Sequence, residues 1–270
     1  MLIVVLVKHV PDEASEPRIE DGVLVRGEDD TLNELDEHAI EAALQLTEEF
    51  GGEVVAVSMG PEDAEDGVLR AMHIGADRGL VITDDSLAGS DIPKTAKTLA
   101  LAVQALGKDE PVDMVFAGMA SFDGSASATP AAVSQALGWP LLDVVAELDV
   151  QASADGDGYI AQGKRKVDGW EDTLQAATPV VISVTDQINE PRYPSFKDLR
   201  AARSKPLDVW DLEQLAEEAG ADTGALGQPA SLRMLTADHS PRTAGTIVAD
   251  SGEGGNDLAQ HLIELGVVAK

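Results

Sequence analysis

Residues 113–130, DMVFAGMASFDGSASATP, have the composition of a phosphate-binding turn. An apolar run at 114–117 is typical of a buried parallel strand, and it stops at Gly118. A loop of small polar residues follows, and Thr129-Pro130 then opens a segment with helix composition. Backbone N–H groups at a helix N-terminus are unpaired, and small side chains let a ligand approach them. The stretch predicts a site for a phosphate-bearing ligand, although many surface turns have the same composition.

Three more segments are predicted at the same edge of the sheet. Residues 5–8 and 58–61 end predicted strands, and residues 33–36 begin the first predicted helix. Because ligands of open α/β sheets bind outside the carboxyl ends of the strands, these segments and the loop predict one nucleotide pocket. The lack of a GxGxxG motif argues against a standard dinucleotide fold. An adenosine-nucleotide pocket like that of universal stress proteins fits better, and a stand-alone binder of that type is one interpretation.

No catalytic residue and no metal site is predicted. The five histidines are scattered without metal-ligand spacing, and HExxH, GxSxG and Walker-type motifs are absent. Carboxylates are so abundant that pairing any two as acid and base would be arbitrary. A nucleotide hydrolase would need basic residues in its phosphate-binding loop, and residues 118–130 contain no Lys or Arg. The pattern favours binding over catalysis.

Acidic residues dominate the composition, with 49 Asp and Glu against 19 Lys and Arg and a net charge of −30. Such a surface repels nucleic acid and stays soluble at high ionic strength, where salt screens self-repulsion. We therefore expect a halophilic source and no nucleic-acid partner. The chain has no cysteine, which excludes disulfides and thiolate metal sites. The first apolar run, residues 2–7, is too short for a signal peptide core or a membrane span, so a cytoplasmic protein is expected.

Strand and helix patterns alternate up to residue 138, which predicts an α/β fold with a doubly wound, mostly parallel sheet. The predicted strands are residues 2–7, 53–58, 79–83 and 114–117. The predicted helices are residues 33–50, 62–74, 94–106 and 131–138. Asn33 or Asp36 can cap the first helix, and a small hairpin is predicted at residues 22–25.

The pattern changes after Trp139-Pro140. Residues 141–150, 159–167 and 178–184 look like strands without helices between them, so they are predicted as antiparallel edge strands of the sheet. A short helix is predicted near residues 197–203.

The C-terminal part of the chain has short helical segments between Gly, Pro and Ser, with little apolar content before residues 258–268. We interpret it as an extended C-terminal arm that packs on a partner chain; a partly ordered tail is the alternative. The expected organisation is a nucleotide-binding domain over residues 1–206 and the arm over residues 207–270.

Several blocks of the sequence resemble the β subunit of electron transfer flavoprotein. One is TPVVISVTDQINEPRYPSFKDLRAARSKPL, which starts at Thr178. Six further blocks precede it in the chain, in the family's order and spacing: VKHVPD, LNELDEHAIEAAL, VVAVSMGP, AMHIGADRGLVI, FAGMASFDGSASATP and RKVDGWED. PRTAGTIV, in the C-terminal part, also matches. The resemblance covers nearly the whole chain.

This resemblance implies an adenine nucleotide α-hydrolase-like fold and an electron carrier without independent catalysis. The β subunit pairs with an α subunit, which holds the redox-active FAD. The heterodimer accepts electrons from dehydrogenases, typically the acyl-CoA dehydrogenases of fatty acid oxidation, and passes them to a quinone oxidoreductase. The β subunit itself holds a structural AMP, or a second FAD in the bifurcating branch of the family.

Residue by residue, the resemblance assigns the nucleotide site to positions that the sheet-edge argument had also selected. They are Leu6, Asn33, Glu34, Leu35, Asp36, Met59, Gly118, Asp123, Gly124, Ser125, Ala126, Ser127, Ala128 and Thr129. AMP is favoured over a second FAD because Thr129 stands where the bifurcating type has Val.

Two residues outside the nucleotide site are also assigned by the resemblance. Arg165 would lie near the flavin of the partner subunit, where a cation stabilises the reduced, anionic ring. The next position, commonly Glu in the family, is Lys166 here, and Asp168 is the nearby carboxylate that could replace it. Phe196 would be the exposed anchor of a recognition loop, near residues 189–206, that docks on dehydrogenases. The alternative is that Phe196 packs against its own helix.

Overall fold

The structure is a computed structural model, and it describes residues 1–12, 18–20, 23–27, 29–154, 156–228, 247, 250 and 252–268. Its internal contacts divide the chain into two compact units, Met1–Met234 and Leu235–Lys270. The first unit contains the main sheet and every segment predicted to bind a nucleotide. The second contains helix α7, Gly254–Glu264.

Seven of the described strands form a sheet in which every neighbouring pair is parallel. From edge to edge they are β14 (Leu207–Trp210), β7 (Arg78–Ile82), β6 (Glu53–Met59), β1 (Leu2–Leu6), β8 (Met114–Gly118), β13 (Val180–Val184) and β9 (Leu141–Val145). All side chains of β1, β8 and β13 are buried. Continuous apolar strands of this kind suit a parallel sheet that is covered on both faces.

Helices cover both faces of this sheet. Successive side chains of a strand point to opposite faces, and Ile3 and Val5 accordingly join one apolar cluster while Leu2 and Val4 join the other. The first cluster includes residues of α1 (Glu34–Phe50) and α2 (Ala64–Ile74), and the second includes residues of α3 (Ile92–Leu106), α4 (Thr129–Leu137) and α6 (Leu212–Ala219). The predicted α/β class with a doubly wound sheet is confirmed.

A separate antiparallel sheet contains β10 (Glu147–Ala152), β11 (Tyr159–Val167) and β12 (Trp170–Ala177). Before α1, β2 (His9–Pro11) pairs with β5 (Asp30–Leu32), and β3 (Ile19–Glu20) pairs with β4 (Val23–Leu24). The second pair confirms the hairpin predicted near residues 22–25, although Gly22 itself lies outside the described residues.

The predicted antiparallel edge strands need correction. Residues 141–150 are two strands rather than one, since Val144 has a φ of +58° and the chain leaves the main sheet at Ala146. β9 and β13 are parallel members of the main sheet, and β13 lies inside it, where all five of its residues, four of them apolar, are buried. The antiparallel strands form their own sheet, and β12 was not predicted at all.

The recognition loop near residues 189–206 and the residues after it continue the first unit. A short helix, α5 (Phe196–Ala202), matches the helix predicted near residues 197–203. β14 then adds the last strand next to β7, and Leu215 of α6 is fully buried in the core. The first part of the predicted arm therefore lies in the same unit as the sheet, and the packing of its remainder on a partner stays a prediction. Within the described residues, no helix is long and apolar enough to cross a membrane.

Candidate functional site

The order of strands creates a crevice between β1 and β8. The chain passes from β1 to β6 and β7 on one side and then places β8 on the other side of β1. The order in which strands are added thus changes direction at β1. Ligands of open α/β sheets bind at such a change, outside the carboxyl ends of the strands. Leu6, Met59 and Gly118 lie at the ends of β1, β6 and β8, and residues 33–36 begin α1 beside them. The structure brings the four predicted segments together at this edge.

Asn33 joins the start of α1 to the loop formed by residues 118–129. It occupies the predicted N-cap position, but its side chain makes no capping hydrogen bond. Instead, Nδ2 donates to the carbonyl oxygen of Ala120 at 3.0 Å, and Oδ1 accepts from the backbone N–H of Phe122 at 3.1 Å. Because Asn33 is only 1% exposed, these bonds satisfy an amide that water does not reach. Its role is to fix the loop.

Asp36 fixes the strand ends next to the loop. Its carboxylate accepts the backbone N–H groups of Lys8 at 2.9 Å and Gly118 at 3.2 Å. Burial raises the pKa of Asp36 to about 7, against the lowering effect of these hydrogen bonds. A Cβ atom at Gly118 would lie 2.6 Å from Asp36 Oδ1 and 2.7 Å from the carbonyl carbon of Leu35, so only glycine fits.

Two cations contact the loop at Asp123. Lys8 Nζ lies 2.7 Å from Asp123 Oδ2, and the Arg26 guanidinium donates to the same oxygen. Burial favours the neutral acid, but hydrogen bonds from Arg26 and Lys8 outweigh it and hold the pKa of Asp123 well below its usual range. Two cations facing one carboxylate leave an excess of positive charge beside the loop.

Sequence reasoning assigned no role to Lys8 or Arg26. Lys8 stood within a selected segment, so its position directly after the first strand was an available signal. Arg26 lies in the long connection after β1, where nothing in the sequence pointed to the loop. The basic side chains that residues 118–130 lack thus come to the loop from residues far away in the chain.

The tip of the loop exposes backbone to a ligand. Residues 124–127 are exposed, and Ser125 and Ser127 have φ values of +46° and +48°, which non-glycine residues rarely adopt. Ala128, which follows, is right-handed, and such alternating conformations make concavities of N–H groups that bind anions. α4 then starts at Thr129 without a side-chain cap. This arrangement is suited to a phosphate.

Arg165 lies on a different surface, at the tip of the β11–β12 hairpin. Its Nε and Nη2 donate to the two carboxylate oxygens of Asp172, the opposite residue in the register, at 2.6 and 2.9 Å. Lys166 Nζ is 3.7 Å from Glu147, and Asp168 forms the turn. Trp170, 81% exposed, was not singled out from the sequence.

Phe196 begins α5 and is 94% exposed, so it does not pack against its own helix. Ser195 and Asp198 form a capping box that fixes the start of this helix. Tyr193, which sequence reasoning missed, is 91% exposed beside it. Large exposed apolar groups of this kind mark interaction surfaces. Among the described residues, no group of His, Asp or Glu side chains could hold a metal ion.

Comparison with known proteins gives one consistent result. The family model described as electron transfer flavoprotein domain matches residues 21–215. The chain is 36% identical to the electron transfer flavoprotein subunit beta of Mycobacterium tuberculosis over 98% of this chain and 99% of that protein. It is 33% identical to Protein FixA of Azorhizobium caulinodans over 92% of this chain and 88% of that protein. It is 32% identical to the electron transfer flavoprotein subunit beta of Clostridium acetobutylicum over 86% of both.

Proposed function

The chain belongs to the electron transfer flavoprotein β-subunit and FixA family of electron-transfer proteins, and on this premise we propose that it is the nucleotide-binding subunit of a heterodimeric carrier. An α subunit is the partner and holds the redox-active FAD. Dehydrogenases such as acyl-CoA dehydrogenases donate the electrons, and a quinone oxidoreductase accepts them. This chain has no catalytic activity of its own. A family match over nearly the whole chain leaves no support for the stand-alone stress-type binder.

AMP is the ligand that we propose for the crevice between β1 and β8. The observation that carries this proposal is the 118–129 loop, which Asn33 and Asp36 hold open to solvent beside Lys8 and Arg26. The exposed N–H groups near the start of α4 and the hydroxyl of Thr129 would hold the phosphate. Bound AMP would stabilise the native fold rather than take part in electron transfer.

Arg165 and Phe196 are proposed to act at two separate interfaces. The exposed hairpin that carries Arg165 would face the partner's flavin, where the guanidinium favours the reduced anion. Phe196 would dock on the dehydrogenase, for which its exposure on a short capped helix is suited. The acidic composition supports a halophilic source, and a cytoplasmic location remains our proposal.

The test is to purify the chain with its α partner in high salt, denature the complex and identify the released nucleotides by mass and absorbance. One FAD and one AMP per heterodimer is the expected result. Two FAD would instead support the bifurcating type, with the second FAD in the same crevice. No flavin and no stable partner would contradict the proposed function.

A variant tests the location of the nucleotide. Lys8→Gln with Arg26→Gln removes the positive charge beside the loop, so we expect loss of AMP with retention of FAD. Arg78→Gln is the matched control, because Arg78 pairs with Glu53 at the opposite end of the sheet, 2.9 Å away. Unchanged AMP in the double variant would exclude the crevice as the site.

A further inference from the structure

The NEPRY motif, residues 189–193, is tied to helix α1 through two of its side chains. Asn189 Nδ2 donates to the carbonyl oxygen of His38 at 3.0 Å, and His38 Nδ1 lies 3.1 Å from Asn189 Oδ1. These contacts join positions 151 residues apart in the sequence. The motif thus follows β13 directly and returns the chain to the surface of α1.

Arg192 makes the stronger attachment. Its Nε and Nη2 donate to the two oxygens of Glu41 at 2.7 and 3.0 Å, and its Nη1 donates to Glu48 at 2.5 Å. The backbone N–H of Arg192 also donates to Glu41 at 3.2 Å. Glu41 is buried, and the two carboxylates lie two turns apart on α1. A guanidinium has the planar fork that can bind both at once, which an ammonium lacks.

The residues after this clamp are the exposed ones. Tyr193 follows Arg192 directly, and Phe196 begins α5 three residues later. Neither side chain holds the segment in place, because both point to solvent. Of α5, Ala202 is the residue that is buried.

A second attachment closes the segment at its other end. Lys205 Nζ donates to the carbonyl oxygens of Met72, Gly75 and Ala76, where α2 ends, at 3.3, 3.0 and 2.7 Å. A cation at this position satisfies carbonyls that the helix itself leaves unpaired. Residues 193–204 therefore lie between Arg192 on α1 and Lys205 on α2, and the end of α5 within them packs into the core through Ala202. We call these residues the docking segment.

We propose that Arg192 is a positioning residue for the docking of the electron-donating dehydrogenase. Its clamp on Glu41 and Glu48 fixes the direction in which Tyr193 and Phe196 leave the protein. This inference rests on the proposed function, because it concerns the surface that Phe196 is proposed to present. A segment that is already ordered loses less conformational entropy when the partner binds, so the clamp raises affinity without touching the partner.

The expected effect of Arg192→Gln is a KM for the heterodimer that rises on the order of tenfold in reduction by an acyl-CoA dehydrogenase. We expect kcat and the FAD and AMP content to stay within about twofold, because Arg192 lies outside the crevice proposed for AMP and away from Arg165. Amide hydrogen exchange in the docking segment should become faster. Phe196→Ala is the positive control for the rise in KM.

Three further variants separate positioning from stability. Glu48→Gln removes only the exposed half of the clamp, so it should fold normally and raise KM less than Arg192→Gln. Arg192→Lys keeps the charge but cannot bind both carboxylates at once, so its KM should stay raised. Arg70→Gln is the matched control, because Arg70 pairs with Glu37 of α1, 3.5 Å away, outside the motif.

Unchanged KM and unchanged hydrogen exchange in Arg192→Gln and Glu48→Gln, with a wild-type heterodimer that accepts electrons normally, would overturn the positioning role alone. A wild-type heterodimer that no acyl-CoA dehydrogenase reduces would contradict the proposed donor, and the inference would fall with it. A lower melting temperature with wild-type KM would show that Arg192 only stabilises the fold.

Discussion

The pKa values of two carboxylates at the edge of the same crevice are shifted in opposite directions because their surroundings differ. Among the described residues, Asp36 has hydrogen-bond donors from backbone N–H groups and from Asn33 but none from a cation, and burial raises its pKa to about 7. Asp123 is also buried, but Lys8 and Arg26 bind it directly and lower its pKa. Direct contact with a cation therefore decides which effect dominates at each position.

Asp36→Asn should change how stability depends on pH. A raised pKa means that the folded state binds the proton of Asp36 more tightly than the unfolded state does. Protonation of Asp36 therefore stabilises the fold fully below about pH 4, the pKa of the unfolded state, and this stabilisation is lost as pH rises through about 7. Between these values the free energy of unfolding falls by up to about 1.4 kcal/mol per pH unit. Asparagine cannot ionise, so the variant should lack this decline.

The measurement is denaturant unfolding of both proteins in high salt at pH 5, 6, 7 and 8. As pH rises, the unfolding free energy of the wild type should fall relative to that of the variant. Parallel curves would show that Asp36 does not titrate in this range.

Gly118→Ala should disturb the crevice, whereas Gly124→Ala should not. A methyl group at Gly118 would collide with Asp36 and the backbone of Leu35, so we expect a loss of about 1–3 kcal/mol and of the bound AMP. Gly124 lies in the same loop without a positive φ, and its nearest neighbour is 3.6 Å away. Nucleotide content and melting temperature measure both effects, and equal behaviour of the two variants would contradict the steric argument.

At the scale of elements, the β11–β12 hairpin extends beyond the strand that pairs with its base. β10 pairs with β11 only as far as Lys164, so Arg165 and Trp170 lie on a two-stranded projection. Cross-strand register places Arg165 opposite Asp172 and Val167 opposite Trp170. These side chains line a depression of about 310 Å³. The hairpin thus presents a fixed guanidinium beside an apolar surface.

Arg165→Gln should lower the midpoint potential of the flavin in the heterodimer by roughly tens of millivolts, since a cation stabilises the reduced anion. Stability should hardly change, because the ion pair with Asp172 is exposed. Lys164→Gln is the control, since Lys164 pairs with Glu147 on the other face of the same strand. Equal midpoint potentials in the wild type, Arg165→Gln and Lys164→Gln would show that the flavin does not lie beside Arg165.

Elements with a strong local pattern could be predicted from the sequence. The apolar runs at 2–7, 53–58 and 114–117 are buried inner strands, and the helices between them follow as expected. The order of strands after residue 140 could not be predicted, because an apolar strand such as β13 carries no mark of the neighbour with which it pairs. The break between β9 and β10 follows a positive φ at Val144, a residue type that does not favour one, so it could not be predicted either.

The nucleotide loop illustrates the same limit at the site. Its glycine, small residues and helix start are local, so they could be selected from the sequence. The cations are not local: Lys8 and Arg26 lie 115 and 97 residues from Asp123. Asn33 was expected to cap a helix, and its contact with Ala120 depends on the packing of α1 beside β8. Sequence patterns selected the segments that contain Lys8 and Asn33, but they indicated neither the partners of these residues nor any role for Arg26.

At the scale of the whole molecule, the net charge of −30 should make stability depend on salt. Screening weakens the repulsion among 49 carboxylates more than it weakens the few attractive pairs with 19 cations. We expect the melting temperature to rise steeply between 0.1 and 3 M KCl, and structure to be lost on dialysis to low salt. Thermal unfolding followed by circular dichroism tests this, and a melting temperature indifferent to salt would contradict it.

The docking segment lies in the connection from β13 to β14, and four other strands of the sheet separate these two. Cleavage of one peptide bond beside Tyr193 would leave β14 and α6 held by strand pairing with β7 and by buried side chains such as Leu215. We therefore expect that residues 1–193 and 194–270, produced separately, associate through this strand pairing and these buried contacts.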